Sequence, residues 1–476
     1  MKVLSVDEMR AADAAAIEAG IPALVLMENA AYAVLRELEK RFAPLHAQRI
    51  AIFCGKGNNG GDGLALARLI HVHHQPNSLT VIMAFEAEEL TSDCAAQLRM
   101  LEALGIPYTM QLPPDLSATT LAIDALLGTG QKGEPRAPIA SLVECMNALP
   151  LASRVSVDVP TASLHPKLTV TFTAPKLEQV LPPGCDRIGE LAIAPVGIPA
   201  RFLDQAKVNL ITPADLKPIG APRARYSHKG TFGHVAILGG AAGKHGALQL
   251  SGEACLHGGA GLATLFSPDG EFRPLLPDLM LGTWQNMPRD LEGKSVLAVG
   301  PGLGTSEEMR ELVLGLFRHW PAPLVLDADA LNNLAPLTEA HQSRYPRVLT
   351  PHPGEMQRLL GREIQDRIED ARSLAALTDS IVVLKGQRSL IALPDGQLWV
   401  NPTGSPALAK GGSGDVLTGL LAALLSQYHD HPTAAVLAAV YLHGRCGELA
   451  ATHGHEMTSI ASRLCDHLPE ALDELG

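Results

Sequence analysis

Apolar residues recur along this chain in two alternating rhythms. Short runs rich in Val, Ile and Leu appear as RIAIF, LTVIMAF, LAIDALLG, RVSVDVP, LTVTF and ELAIAPVG in the first half. The second half has HVAILGG, ATLFSP, SVLAVGPG, PLVLDADA, RVLTPHPG, SIVVLKG and LIALPD. Between them lie Ala/Leu-rich stretches with helical spacing. Nearly continuous apolar strands separated by helices predict parallel sheets covered on both faces, an α/β fold. The rhythm breaks between Leu203 and Arg225, where Pro213, Pro218 and Pro222 lead into the basic run Arg223-Ala224-Arg225. That stretch is the expected linker, 213–225, joining a domain over 1–212 to one over 226–476. The first twenty residues read as an acidic-flanked helix, and Leu464, Leu468 and Leu472 mark a closing helix packed on the core.

Composition narrows the class. With 476 residues, 46% hydrophobic and 18% charged, the chain suits two globular domains, each able to bury a core. A net charge of −12 argues against a nucleic-acid-binding surface. The seven cysteines lie far apart with no C-x-x-C pair, which suits neither a disulfide frame nor a zinc site. The N-terminus lacks the three regions of a signal peptide, and no apolar stretch approaches the ~20 residues that span a bilayer. A cytoplasmic enzyme without membrane partners is expected.

In open parallel sheets, ligands bind beyond the carboxyl ends of strands, so residues there carry the candidate chemistry. After RIAIF comes Asn58-Asn59-Gly60-Gly61-Asp62, which is neither a dinucleotide fingerprint nor a Walker loop. Its amide and carboxylate oxygens suit a hard cation or ligand hydroxyls; alternatively, Asn and Asp cap the next helix. Asp124, ahead of Gly128-Thr129-Gly130, and Asp158, in Val157-Asp158-Val159-Pro160, also stand at strand ends. Each is fit to hold a cation or ligand, or to exchange protons; the plainer reading is a carboxylate satisfied by loop amides. In the second half, the glycine turn Gly300-Pro301-Gly302-Leu303-Gly304 permits close backbone approach. His352 is fixed between two prolines, the alternative being a turn histidine bonded to backbone. Lys385 either meets phosphate or is a solvated strand-end lysine. Gly411-Gly412-Ser413-Gly414-Asp415 places amides and a helix dipole beside a carboxylate, so the glycines hold charge while Asp415 takes a proton from a hydroxyl. His71-Val72-His73-His74 reads as the C-terminus of a helix, where histidines meet a favourable dipole, rather than as a metal cluster.

Taken together these motifs resemble the bifunctional bacterial NAD(P)H-hydrate repair enzymes, in which an NAD(P)H-hydrate epimerase is fused to an ADP-dependent (S)-NAD(P)H-hydrate dehydratase. Leu26-Met27-Glu28-Asn29-Ala30, Ala174-Pro175-Lys176, Leu181-Pro182-Pro183-Gly184, His228-Lys229-Gly230, His245-Gly246-Ala247, Gly258-Gly259-Ala260-Gly261-Leu262, Asp327-Ala328-Asp329-Ala330-Leu331-Asn332 and Thr350-Pro351-His352-Pro353-Gly354-Glu355 extend the match over nearly the whole chain. The resemblance implies a Rossmann-like three-layer domain followed by a ribokinase-like domain. It implies that Asn58, Asn59, Gly60, Gly61, Asp62, Asp158 and the loop Gly128, Thr129, Gly130, Gln131, Lys132, Gly133 and Glu134 contact the hydrated dinucleotide. Asp158 would act near the reacting ring, and Asn59, Asp124 and Thr161 would ligate K⁺. In the dehydratase, Ala247, Gly302, Gly304, His352 and Asp415 would hold hydrated NADH or NADPH, with Asp415 catalytic. Lys385, Gly386, Gln387, Arg388, Ser389 and Gly414 would hold ADP, Mg²⁺ would assist, and a homo-oligomer is expected.

One segment departs from the family pattern. Thr161-Ala162-Ser163-Leu164-His165-Pro166-Lys167 runs almost directly into the next strand, where the family carries Ser-Gly-Leu-Asp and a longer loop. Two competing readings remain at this level. A ribokinase-like kinase of a vitamin precursor would accumulate a phosphorylated product, whereas the repair enzyme yields reduced dinucleotide, AMP and phosphate. A first half that is a dinucleotide-sensing or protein-binding module would bind ligand without exchanging epimers.

Overall fold

The computed structural model describes residues 1–131 and 133–475, in two compact units: Lys2–Lys207, and Met1 with the chain from Val208 onward. Residues 213–225, read from sequence as a linker, lie in the second unit, where Leu216 and Ile219 are buried in its core.

The first unit is a seven-stranded sheet, parallel throughout, in the order Tyr108–Thr109, Ser78–Met83, Arg49–Cys54, Leu121–Ala125, Ser153–Val157, Leu168–Phe172, Glu190–Ala194. Alternation along the strands feeds two cores. Ile50, Ile52 and Cys54 face helices Ala23–Phe42, Asn58–His73 and Ser92–Ala103, while Ala51 and Phe53 face helix Ile139–Ala148. The chain leaves Arg49–Cys54 toward one edge and returns on its other side at Leu121–Ala125. That reversal is a topological switch point, the place where such sheets open a ligand crevice.

The second unit carries Val208–Leu210, Leu398–Val400, Leu390–Ala392, Ile381–Leu384, Arg347–Leu349, Leu324–Leu326, Val296–Val299, His234–Leu238, Leu262–Phe266 and Met280–Leu281, in that order across its sheet. Its core packs Val235, Ile237 and Ala298 against helices that include the apolar run Val416–Leu425. The expected parallel sheet is corrected here: Ile381–Leu384 pairs antiparallel with Leu390–Ala392, which pairs antiparallel with Leu398–Val400. The connection Lys385–Ser389 is a hairpin loop, too short for the crossover that a parallel pair needs. Leu398–Val400 and Val208–Leu210, each three residues long, were not read as strands. The switch point lies between His234–Leu238 and Val296–Val299, where Gly240 N donates to Pro301 O (2.8 Å) and Ala241 N to Gly302 O (2.7 Å).

Among the described residues the cysteines form no disulfide with one another. Among the described residues no helix is long and apolar enough to cross a membrane.

Candidate active sites

At the first switch point a cavity of about 510 Å³ gathers Asn58, Asn59, Asp62, Gly128, Thr129, Gly130, Gln131 and Asp158. The sequence named each of these. Lys132 lies outside the described residues. The Asn-Asn-Gly-Gly-Asp stretch is not a loop or a cap but the first turns of helix Asn58–His73, with Gly57 at the N-cap and no side-chain cap bond. Its glycines are required by packing. A Cβ on Gly60 would lie 1.9 Å from Gly55 O, and one on Gly63 would lie 2.5 Å from the Ala125 Cβ. Bare backbone here lets the helix settle onto the strand ends and carries Asn59 and Asp62 into the cavity wall.

Asn59, Asp124 and Thr161 converge. Asn59 Nδ2 donates to Leu127 O (3.0 Å), Leu127 N to Thr161 Oγ1 (3.1 Å), and Thr161 Oγ1 to Asp124 Oδ1 (2.8 Å). Asp124 also accepts from Thr161 N (2.8 Å), Ser156 Oγ (2.9 Å) and Leu126 N (3.2 Å). Burial still raises its pKa above the usual carboxylate range, against those hydrogen bonds. Burial pushes Asp62 well above that range, with the charges of Asp158 and Asp13 adding to it.

Asp158 holds a left-handed backbone conformation (φ 64°), uncommon away from glycine, pinned by Asp158 N to Val170 O (2.8 Å) and Gln179 Nε2 to Asp158 O (2.6 Å). Its carboxylate meets the buried Lys176 Nζ at 2.5 Å, and that ammonium also donates to Thr171 Oγ1 (2.7 Å). Lys176, Gln179 and Asp13 were not picked out as site residues. Lys176 was visible only as part of Ala174-Pro175-Lys176, since nothing local marks a lysine that will be buried. The segment after Asp158 closes without a helix: Leu164, fully buried, plugs the second core, and Leu164 N donates to Thr161 O (3.1 Å). Beside it opens a second cavity of about 460 Å³, lined by Gln131, Gly133, Glu134, Ala162, Ser163 and Arg187 among others. Gln131 lines both cavities and spans the gap, donating to Pro160 O (3.1 Å) and accepting from Ala162 N (3.2 Å).

In the second unit, Gly412 (φ 95°) precedes helix Ser413–Gln427, which points its N-terminus, Gly414 and Asp415, at the strand ends. A Cβ on Gly414 would lie 3.6 Å from Lys385 Nζ and 3.7 Å from Asp327 Oδ2. Lys385 is no solvated strand-end lysine. It pairs with Asp327 Oδ1 at 2.6 Å and lies 3.8 Å from Glu355 Oε2. Burial would lower its pKa, but Asp327 and Glu355 hold it above the usual value; Lys385 in turn keeps buried Asp327 low against the cost of burial. Thr418 Oγ1 donates to the other oxygen of Asp327 (2.8 Å). Burial raises Asp415 to about 6, with Asp327 and Asp329 adding to the shift and Lys385 opposing it.

Ala247 and Asp415 are tied by Ser251, whose Oγ donates to both backbone carbonyls (3.0 and 2.9 Å). Gly302 (φ 61°) backs onto Lys244 and Ala247, and Gly304 N donates to Asp329 Oδ2 (2.8 Å), which also pairs with Lys244 Nζ (2.9 Å). His352 caps helix Pro353–Leu360, its Nδ1 accepting from Gly354 N (3.0 Å), so the backbone-bonded alternative describes its ring; half the side chain stays exposed. Within Lys385–Ser389, Ser389 Oγ donates to Gly386 O (3.0 Å) and Arg388 Nη1 to Pro402 O (2.5 Å). His71–His74 end the helix as expected, His74 Nε2 lying 2.8 Å from Glu39 Oε1.

These are two α/β domains, one a parallel seven-stranded unit and the other ribokinase-like, each with polar side chains gathered at its switch point. Residues 23–178 match the family described as YjeF-related protein N-terminus, and 235–470 match NAD(P)H-hydrate dehydratase. The chain is 37% identical to the bifunctional NAD(P)H-hydrate repair enzyme Nnr of Moorella thermoacetica, covering 96% of this chain and 93% of that protein. It is 35% identical to the Coxiella burnetii enzyme of the same name, covering 97% of each. The second unit is similar to the ADP/ATP-dependent NAD(P)H-hydrate dehydratase of Bacillus subtilis, co-crystallized with ATP/Mg²⁺ (35% identity, TM-score 0.52, 56% of this chain and 99% of that one). This chain belongs to the family of bifunctional NAD(P)H-hydrate repair enzymes.

Proposed function

We propose that the second unit dehydrates the S epimer of hydrated NADH or NADPH at the expense of ADP, and that the first unit exchanges the R and S epimers. The observation that carries the dehydratase is the placement of Asp415 at a helix N-terminus, beside glycine amides and the Lys385–Asp327 pair. Hydroxide is a poor leaving group and phosphate a better one. Asp415 takes the proton of the ring hydroxyl, whose oxygen attacks the terminal phosphoryl of ADP and releases AMP. A carboxylate with a pKa near 6 is matched to that task at neutral pH. The Gly411–Gly414 amides and the Lys385 ammonium meet the phosphate charge. The ring nitrogen then expels phosphate, and loss of a ring proton restores the double bond. Ala247, Gly302, Gly304 and His352 line the dinucleotide side, and Gly386–Ser389 the adenine-nucleotide side.

No trio of His, Cys, Asp or Glu side chains among the described residues is placed to hold a metal ion. Mg²⁺ therefore fits as an ion carried on nucleotide phosphates, with Asp327 and Glu355 nearby, and it would supply charge neutralisation. For K⁺ the set is all oxygen: Asp124, Thr161 and the Asn59 carbonyl, whose oxygen has no donor among the described residues. That chemistry suits a hard monovalent cation, which would hold the cavity wall in place. In the first unit, Asp158, oriented by Lys176, works at the reacting ring carbon, and Asp62, Gly128–Gln131 and Glu134 hold the rest of the dinucleotide. The test is to supply ADP or ATP with each epimer and identify the products. Reduced dinucleotide with AMP and phosphate supports the reading with ADP, and an accumulating phosphorylated dinucleotide sinks it.

A further inference from the structure

We propose that Asp13 is a second acid–base residue of the epimerase, giving a proton to the ring hydroxyl on one face of the hydrated nicotinamide while Asp158 works on the other. The proposal rests on the epimerase reading of the first unit. Helix Val6–Glu18 buries Met9, Ala12 and Ala16, and Asp13 completes that i, i+3, i+4, i+7 stripe at a position where packing alone favours an apolar residue. A carboxyl there needs a reason. The side chain lines the same cavity as Asp158 and Asn59 and makes no hydrogen bond or ion pair with a described residue. Its two natural partners are committed elsewhere: Arg10 pairs with Asp7 (3.8 Å), and Lys176 Nζ serves Asp158, Thr171 and Phe172 O.

The charged groups facing the cavity are Lys56, Asp62, Asp93, Asp158 and Lys176 from other elements, and Arg10 from the same helix. Burial raises Asp13 to about 6; the Asp158 charge adds to that and Lys176 opposes it. Asp13 thus holds its proton up to about pH 6, beside a carboxylate that holds an ammonium ion. Asp62 is the other candidate acid, but it is buried, and burial pushes its pKa well above the ordinary carboxylate value. Asp13 keeps contact with the cavity and with solvent.

The step balances without a co-reactant. The ring carbon–oxygen bond breaks as Asp13 protonates the hydroxyl to water, and the ring nitrogen lone pair forms a carbon–nitrogen double bond. Water adds to the opposite face, its proton passing to Asp158, and the electron pair returns to nitrogen. The two carboxyl groups finish with exchanged protonation states and reset through solvent. Two carboxyl groups kept in different protonation states by their surroundings is a general way to divide acid from base.

The test follows R-epimer conversion by the intact protein with excess ADP, using Asp13→Asn and Asp13→Glu. Asp13→Asn should slow conversion of R by ~10²-fold or more, leave conversion of S unchanged, and bind R within a few-fold of the parent. In the parent, R conversion should decline as pH rises above about 6, and the residual rate of Asp13→Asn should lack that limb. The raised pKa means the folded state binds the proton more tightly than the unfolded chain between the ordinary carboxylate value, 3.8, and about 6, so stability is lost as pH rises through that window. Asp13→Asn should therefore be no less stable than the parent above pH 6. If it nonetheless fails to bind R, recovery of conversion in Asp13→Glu supports the proposal, and no recovery overturns it. Parent-like exchange in Asp13→Asn overturns it outright. Absence of exchange in the parent itself would instead remove the epimerase reading on which it rests.

Discussion

At Asp415 burial and the neighbouring carboxylates Asp327 and Asp329 hold a proton to about pH 6, while Lys385, 2.6 Å from Asp327, keeps that cluster from becoming uniformly anionic. In the proposed mechanism the ionised carboxylate is the form that accepts the substrate proton, so dehydration should fall as pH drops through about 6. Asp415→Asn should fold, bind nucleotide and lose dehydration by ~10²-fold or more, as initial rates with the S epimer would show. Gly414 is a different kind of residue, valuable for what it lacks. A valine there would crowd Lys385 Nζ and the approach of phosphate, so Gly414→Val should weaken nucleotide binding while leaving the helix intact. Titration calorimetry with ADP measures it directly, and unchanged affinity would count against the role.

Two short elements do most of the positioning, and they differ in how far the sequence revealed them. Asn58–Asp62 stood out as a candidate site from its oxygen-rich composition, but not as a helix, because two glycines in five residues ordinarily argue against one. Tertiary packing outweighs that propensity: Gly60 and Gly63 are needed where the helix meets Gly55 and Ala125. Gly60→Ala should therefore destabilise the first unit by about 1–3 kcal/mol through overpacking, seen as a lowered unfolding transition, with S-epimer dehydration retained. Asp124 and Asp158 were legible because a carboxylate closing an apolar run stands out, and Asp415 because it follows a glycine cluster that opens a helix. Lys176 and Asp13 were not, since their significance lies in contacts and surroundings assembled from segments far apart in sequence.

The other element is the connection from Asp158 to Leu168. It keeps Thr161 on Asp124 and plugs the core with Leu164, and on the proposed reading its short length leaves less cover over the reacting ring than a longer segment would. Cover affects orientation and water exclusion more than initial binding. The first unit should thus bind hydrated dinucleotide yet exchange its epimers more slowly than a relative with a longer segment. Asp158→Ala should reduce R conversion to the spontaneous rate while S conversion continues; persistence above that rate would refute its role.

For the whole molecule, the two chemistries are complementary. A dehydratase selective for S leaves R stranded, and an exchanger without a dehydratase only redistributes the two forms. Each unit has its own sheet, core and switch-point cluster, so damage in one should leave the other's reaction intact. The most direct measurement supplies purified R and S epimers of hydrated NADH separately, with excess ADP, and follows the return of NADH absorbance together with nucleotide products. The structure predicts that S is restored promptly with one AMP and one phosphate per NADH, and that R is restored more slowly to the same products. Inert S epimer, or a phosphorylated dinucleotide accumulating in place of NADH, would contradict it.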